Sequence, residues 1–301
     1  MEKLSHTHRN GLNHRTHAFE ENWMTLDGAR MRYLRSGKGH PLLLVHGLLG
    51  YSFSWRFAIP ALSEHATVYA VDMLGVGFSD RPPGLDCSLR ACAERLLRFL
   101  DSAAVVSTDL LGTSHGGAVA MMAAALAPER IRRLILVAPV NPWSVHGRLM
   151  AELLSRQPCC TLLPLLSPFV KVIHTELLRR LYGDPGRIRP GTLEGYSAPF
   201  EEGGAVEHGL GILRSWNHDL RELEEVLPNI AHIPALLVWG TRDLAVDPAS
   251  ASRLAQVFKD CRTVMFEGVG HLPYEEAPED FNNVVSNYLE QSELSLQRNH
   301  P

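Results

Sequence analysis

The sequence has no Cys-x-x-Cys pair, no unbroken apolar run of membrane-spanning length and no basic excess, and each absence excludes a class of function. Its five cysteines are Cys87, Cys92, Cys159, Cys160 and Cys261, without the paired spacing of zinc or thioredoxin-type sites. The number is odd and the spacing scattered, so free, buried thiols in a reducing compartment fit best. The longest apolar stretch, Thr161 to Ile173, is interrupted by Pro164, Pro168 and Lys171. It falls short of the ~20 residues that a bilayer demands. Lys and Arg together number 29 against 33 for Asp and Glu, a net charge of −4, so no cationic face for a nucleic acid or an anionic membrane is expected. Residues 1–18 are polar and His-rich, lack the apolar core of a secretory leader, and are expected to form a loose tail. His6 and His8 find nothing nearby to complete a metal site. A cytoplasmic protein with no membrane span and no metal is the expectation.

What is present is an ordinary globular composition, 45% hydrophobic and 21% charged over 301 residues. At ~150 residues per domain this is one large domain, or one domain carrying an insertion. Trp23–Leu26 and Met31–Leu34 read as short strands around Asp27-Gly28, a hairpin turn. Apolar, β-branched runs follow at Pro41–Val45, Thr67–Val71, Val106–Leu111, Leu134–Val137, Ala235–Trp239 and Thr263–Phe266. Such runs are characteristic of parallel sheets covered on both faces. Helical patterns lie between them: Ser88–Leu100 behind a Ser cap, Ala118–Leu126 ended by Pro128, and Pro278–Leu289. Strand–helix alternation implies a doubly wound, mostly parallel α/β domain. It breaks between about Asn141 and Ile233, where helical segments run without a strand. The expected division is therefore a tail at 1–18, a core at 19–140 and 234–292, a helical cap at 141–233, and a second tail at 293–301.

The strongest chemical signal is Leu110-Leu111-Gly112-Thr113-Ser114-His115-Gly116-Gly117, a G-x-S-x-G between an apolar strand and an Ala-rich helix. A sharp strand-to-helix turn exposes the Ser114 hydroxyl, and small residues at 112 and 116 let the backbone close around it. The same pattern also arises by chance in Gly-rich turns. Two further segments support the functional reading. Gly240-Thr241-Arg242-Asp243 and Gly268-Val269-Gly270-His271 each follow a strand, where sheets of this kind gather their sites. The order Ser114, Asp243, His271 is one of the known triad orders. Read alone, Asp243 also suits a helix cap near Pro248, and His271 an ordinary loop; Asp247 and Glu267 are rival acids off the strand-end register.

With Val45-His46-Gly47-Leu48-Leu49-Gly50 and the segment Asp72–Asp80, these motifs make the chain resemble the α/β-hydrolase superfamily from about Trp23 to Leu289. The resemblance implies an α/β-hydrolase fold with an inserted cap and oxyanion donors at the backbone N–H groups of Leu48 and His115. It also implies a Ser-His-Asp triad that cleaves a carboxylic ester or related acyl substrate through an acyl-enzyme. His46 reads as a loop residue rather than a base. Asp72-x-x-Gly75-x-Gly77 lacks the third glycine and the helix of a dinucleotide loop, so no cofactor is expected. Haloalkane dehalogenases and epoxide hydrolases resemble the chain but carry Asp where Ser114 stands. Carbon–carbon-bond hydrolases resemble it too, although Leu48-Leu49-Gly50 and Leu272 depart from their pattern. A cofactor-free haloperoxidase or perhydrolase, a lyase and a non-catalytic ligand-binding protein complete the alternatives. Trp143 and Trp216 are candidate pocket residues, with His146, Tyr182, Tyr196 and His218 less specific. The partner is a small acyl molecule; its chain length and the oligomeric state are not legible.

Overall fold

The computed structural model describes residues 19–144, 152–154 and 169–298. The expected N-terminal tail, His146, Cys159, Cys160 and residues 161–168 of the apolar stretch lie outside the described residues. Eight strands form one sheet: β1 (Glu20–Leu26), β2 (Ala29–Ser36), β3 (Pro41–Val45), β4 (Thr67–Val71), β5 (Thr108–Thr113), β6 (Ile131–Val137), β7 (Ala235–Gly240) and β8 (Cys261–Phe266). Their order is β1-β2-β4-β3-β5-β6-β7-β8. β2 runs antiparallel to β1 and β4, and every other pairing is parallel. At the β1–β2 turn Asp27 (φ 52°) and Gly28 (φ 81°) are both left-handed, as a two-residue type I′ hairpin requires.

Strand residues alternate between two cores. Leu43, Val45, Leu110, Leu134, Leu136, Leu237 and Trp239 face one, while Leu42, Leu44, Leu111, Ile135, Val137, Leu236 and Val238 face the other. Burial on both faces explains why these strands read as continuous apolar runs. The helices are α1 (Ile59–Leu62), α2 (Leu89–Ser102), α3 (His115–Leu126), α4 (Val170–Arg180), α5 (Thr192–Ser197), α6 (Ala205–Val226), α7 (Ser250–Ala255), α8 (Pro273–Glu276) and α9 (Pro278–Arg298). Residues of α2, α3, α6 and α7 cover the first face, and those of α1, α8 and α9 the second. Ser88 caps α2 as expected, its hydroxyl accepting the Ala91 N–H at 3.3 Å.

Two boundaries differ from the sequence expectation. β5 begins at Thr108, not Val106, because Arg130 draws the carbonyls of Val105 and Val106 out of the ladder at 2.9 and 2.7 Å. Val106 is left 81% exposed. α9 continues past Leu289 to Arg298, so the stretch 293–298 assigned to a tail is helical.

Between β6 and β7 the described residues hold α4, α5 and α6 and no strand. α6 packs back onto α2 and α3. Among the described residues no helix is long and apolar enough to cross a membrane. Because β5, β7 and β8 run in one direction, the turns that leave them open on the same edge of the sheet. Ser114, Asp243 and His271 follow those three strand ends.

Candidate active site

Ser114 occupies the single residue between β5 and α3, at φ 54° and ψ −124°. A non-glycine residue there carries ~1–3 kcal/mol of strain, which the surroundings must hold. They do so through the backbone: Ser114 N–H donates to Val137 O at 3.0 Å, and Ser114 O accepts from Val140 and Gly117 at 2.9 and 3.0 Å. Only glycine fits at 116, where a Cβ would fall on the carbonyl oxygens of Val45 and His46, and at 112, where it would strike the Gly116 carbonyl. The Ser114 side chain is partly exposed, unlike its buried neighbours Thr113 and His115.

Asp243 and His271 are each 3% exposed and joined by a bond of 2.8 Å between Asp243 Oδ2 and His271 Nδ1. The other carboxylate oxygen accepts the N–H groups of Ala245 and Val246 at 2.7 and 2.9 Å. Asp247, the rival acid, spends an oxygen on the Ala249 N–H. With Nδ1 facing a carboxylate, Nε2 is the nitrogen free to exchange protons. Among the described residues Ser114 Oγ makes no hydrogen bond, so the geometry links His271 to Asp243 and leaves the serine unpaired.

The amide N–H groups of Leu48 and His115 donate to no acceptor among the described residues. Leu48 sits in a turn closed by Gly50 N–H to Gly47 O at 3.0 Å, with Leu49 at φ 56°. A Cβ added to Gly47 would lie 3.0 Å from that of Ser114, so this loop passes against the serine. Two imidazoles here are set neutral. His46 Nε2 accepts from the Met73 N–H at 3.0 Å and its Nδ1 faces Gly47 O at 2.8 Å, while burial pushes its pKa down. Burial, helped by His46, pushes His115 down to about 4. Neither ring serves as a base at neutral pH. The Asp72–Asp80 loop is wrapped around its own acid: Asp72, fully buried, accepts from Ser52 N–H, Phe78 N–H and Arg32.

The two tryptophans part company. Trp216, on α6, stacks on His115 with ring centroids 6.3 Å apart. Trp143 instead donates its indole N–H to Glu224 at 3.2 Å and carries the Arg253 guanidinium on its face. It lines neither of the described cavities beside His115. Tyr182 and Tyr196 bond Glu275 at 3.4 and 2.7 Å and are structural. His218 is exposed; it approaches Asp219 and Glu222, but those carboxylates already accept from Leu89, Ser215 and Arg90.

Glu276 is the residue that sequence reasoning missed. Its carboxylate accepts the N–H groups of Gly270, Gly183 and Asp184 at 2.7, 2.8 and 3.2 Å. His271 N–H donates to Leu181 O at 2.7 Å. The histidine loop is thus tied to the chain that leaves α4. Beside it Glu275, paired with Arg56, is buried; burial raises its pKa against the opposing pull of that guanidinium.

Comparison with known proteins follows the same lines. A family model described as α/β hydrolase fold matches residues 40–158, and one described as TAP-like protein matches residues 215–299. An uncharacterized protein of Mycobacterium tuberculosis is 27% identical over 89% of this chain and 81% of its own length. A 2-hydroxy-6-oxo-2,4-heptadienoate hydrolase of Pseudomonas putida is 26% identical over 84% of this chain and 90% of its own. Among solved structures, the ligand-free epoxide hydrolase CorEH superposes with a TM-score of 0.81 at 20% identity, covering 91% of this chain and 99% of that one.

Proposed function

The chain belongs to the α/β-hydrolase superfamily, and from that premise we propose that it is a serine hydrolase cleaving a carboxylic ester or related acyl substrate through Ser114, His271 and Asp243. The observation that carries the reading is Ser114 held in a strained turn on the sheet edge that also carries the bonded His271–Asp243 pair. His271 Nε2 takes the proton of Ser114 Oγ as that oxygen attacks the carbonyl carbon. Asp243 keeps the other nitrogen protonated and stabilises the imidazolium. The oxyanion of the tetrahedral intermediate takes up the unpaired N–H groups of Leu48 and His115, donors worth ~3 kcal/mol each in such sites. His271 then returns the proton to the leaving alcohol, and water releases the acyl group by the same steps.

The inserted segment between β6 and β7 acts as a cap, with Trp216 as its contribution to the substrate wall. A serine at 114 offers no carboxylate for an alkyl–enzyme ester, which argues against dehalogenase and epoxide hydrolase chemistry. Carbon–carbon-bond hydrolysis is the second reading, favoured by the named activity of the Pseudomonas relative. A panel of p-nitrophenyl esters of rising acyl length tests the first: turnover that disappears in Ser114→Ala supports it, and turnover retained by that variant sinks it.

A further inference from the structure

The loop after β4 and the first turns of α6 line a half-open cavity of about 400 Å³, a size suited to a small molecule. Arg81 from the loop and Arg214 from α6 line it, together with Cys87 and His208. Arg95 lies close behind, 5% exposed, with its guanidinium on Asp86 O at 2.6 Å and Cys92 Sγ at 3.4 Å. Arg81 reaches only carbonyls, those of Gly77, Ser79 and Pro199. None of the three arginines forms an ion pair with a carboxylate among the described residues, and the buried Nε atoms of Arg81 and Arg95 have no partner. Glu207 is the one acid on the described wall, and Glu202 stands near Arg81. Burial pushes His208 down to about 3, and His115, His46, Arg95 and Arg81 push the same way. Arg81 is half-buried and Arg214 exposed, and guanidiniums without a carboxylate partner are open to charge-assisted hydrogen bonding with an arriving anion.

His208 also walls a narrow chamber with Leu48, Leu49 and His115, so one imidazole separates the cationic cavity from the candidate oxyanion donors. We propose that the cavity binds the anionic end of the substrate, a carboxylate or a phosphate, held by Arg214 and Arg81 while the ester lies toward Ser114. The placement of the ester rests on the serine-hydrolase reading; the anion site does not.

Two measurements separate the claims. Calorimetry on Ser114→Ala protein at low salt, with adipate and with inorganic phosphate as probes, reads the site without turnover. Saturable binding of at least one probe is expected, weakened about tenfold or more by Arg214→Gln, less by Arg214→Lys, and progressively by salt. Adipate binding assigns carboxylate-ended substrates, and phosphate binding alone assigns phosphate-ended ones. The second measurement compares kcat/KM for 4-nitrophenyl hydrogen adipate with that for its neutral methyl ester, or for a phosphate-ended pair if only phosphate binds. A preference of about tenfold for the anionic ester is expected, with the ratio falling toward one in Arg214→Gln. Failure of both probes to bind, or binding indifferent to Arg214→Gln, overturns the anion site, and an ester ratio of one in the unmodified enzyme overturns its role in holding the substrate. Arg214-dependent binding with no ester hydrolysis keeps the site and overturns the hydrolase reading instead.

Discussion

Asp243 uses both oxygens, and that makes its amide a sharp probe. In Asp243→Asn the side-chain oxygen is held by the Ala245 and Val246 N–H groups, which leaves the NH₂ facing His271 Nδ1. The imidazole must then present a protonated Nε2 to Ser114 and can no longer act as base. kcat on an activated ester should fall by ~10³–10⁴ with the fold intact by circular dichroism. Near-native turnover would reassign the acid. A second residue reports on stability. His174 packs edge-on to Phe200 with ring centroids 4.7 Å apart, and burial pushes its pKa down to about 4. Its unfolded value is ~6.5, so the stability contributed by the neutral ring is complete above that pH and is lost as pH falls toward 4. His174→Phe should therefore flatten the decline of the thermal midpoint over that window. A slope equal to that of the parent would contradict the assignment.

Elements were legible where one physical signal dominated. Strands buried on both faces announced themselves as apolar runs, and the Ser88 cap marked the start of α2 within a residue. β5 slipped by two residues because Val106 is β-branched and apolar yet is carried by a loop that Arg130 pins, a contact 24 positions away. Ser114, Asp243 and His271 stood out because each follows a strand end. Glu276 did not, since its partners lie up to 93 positions back and nothing local marks it. Trp216 and Trp143 looked alike in the sequence; only the docking of α6 over His115 separates them. Replacing Trp216 by Leu should shift the ranking of acyl lengths while leaving labelling of Ser114 by a small phosphonate intact. An unchanged ranking would mean that α6 does not select the substrate.

At the scale of the molecule, one sheet edge gathers residues from three distant strands, and the inserted segment is fastened to the histidine loop at Leu181, Gly183 and Asp184. The position of His271 is therefore fixed in part by contacts with that segment. The mostly parallel sheet and the edge that carries the site were readable from strand–helix alternation; the strand order was not, and neither was the fastening, because it is made by backbone groups, which carry no sequence identity. The account turns on one atom, Ser114 Oγ, being activated by this assembly. Treatment with a fluorophosphonate followed by peptide mapping tests it directly. A single stoichiometric adduct on the Ser114 peptide, absent from Ser114→Ala, is the predicted result. An adduct on another serine, or labelling that persists in Ser114→Ala, would contradict the account.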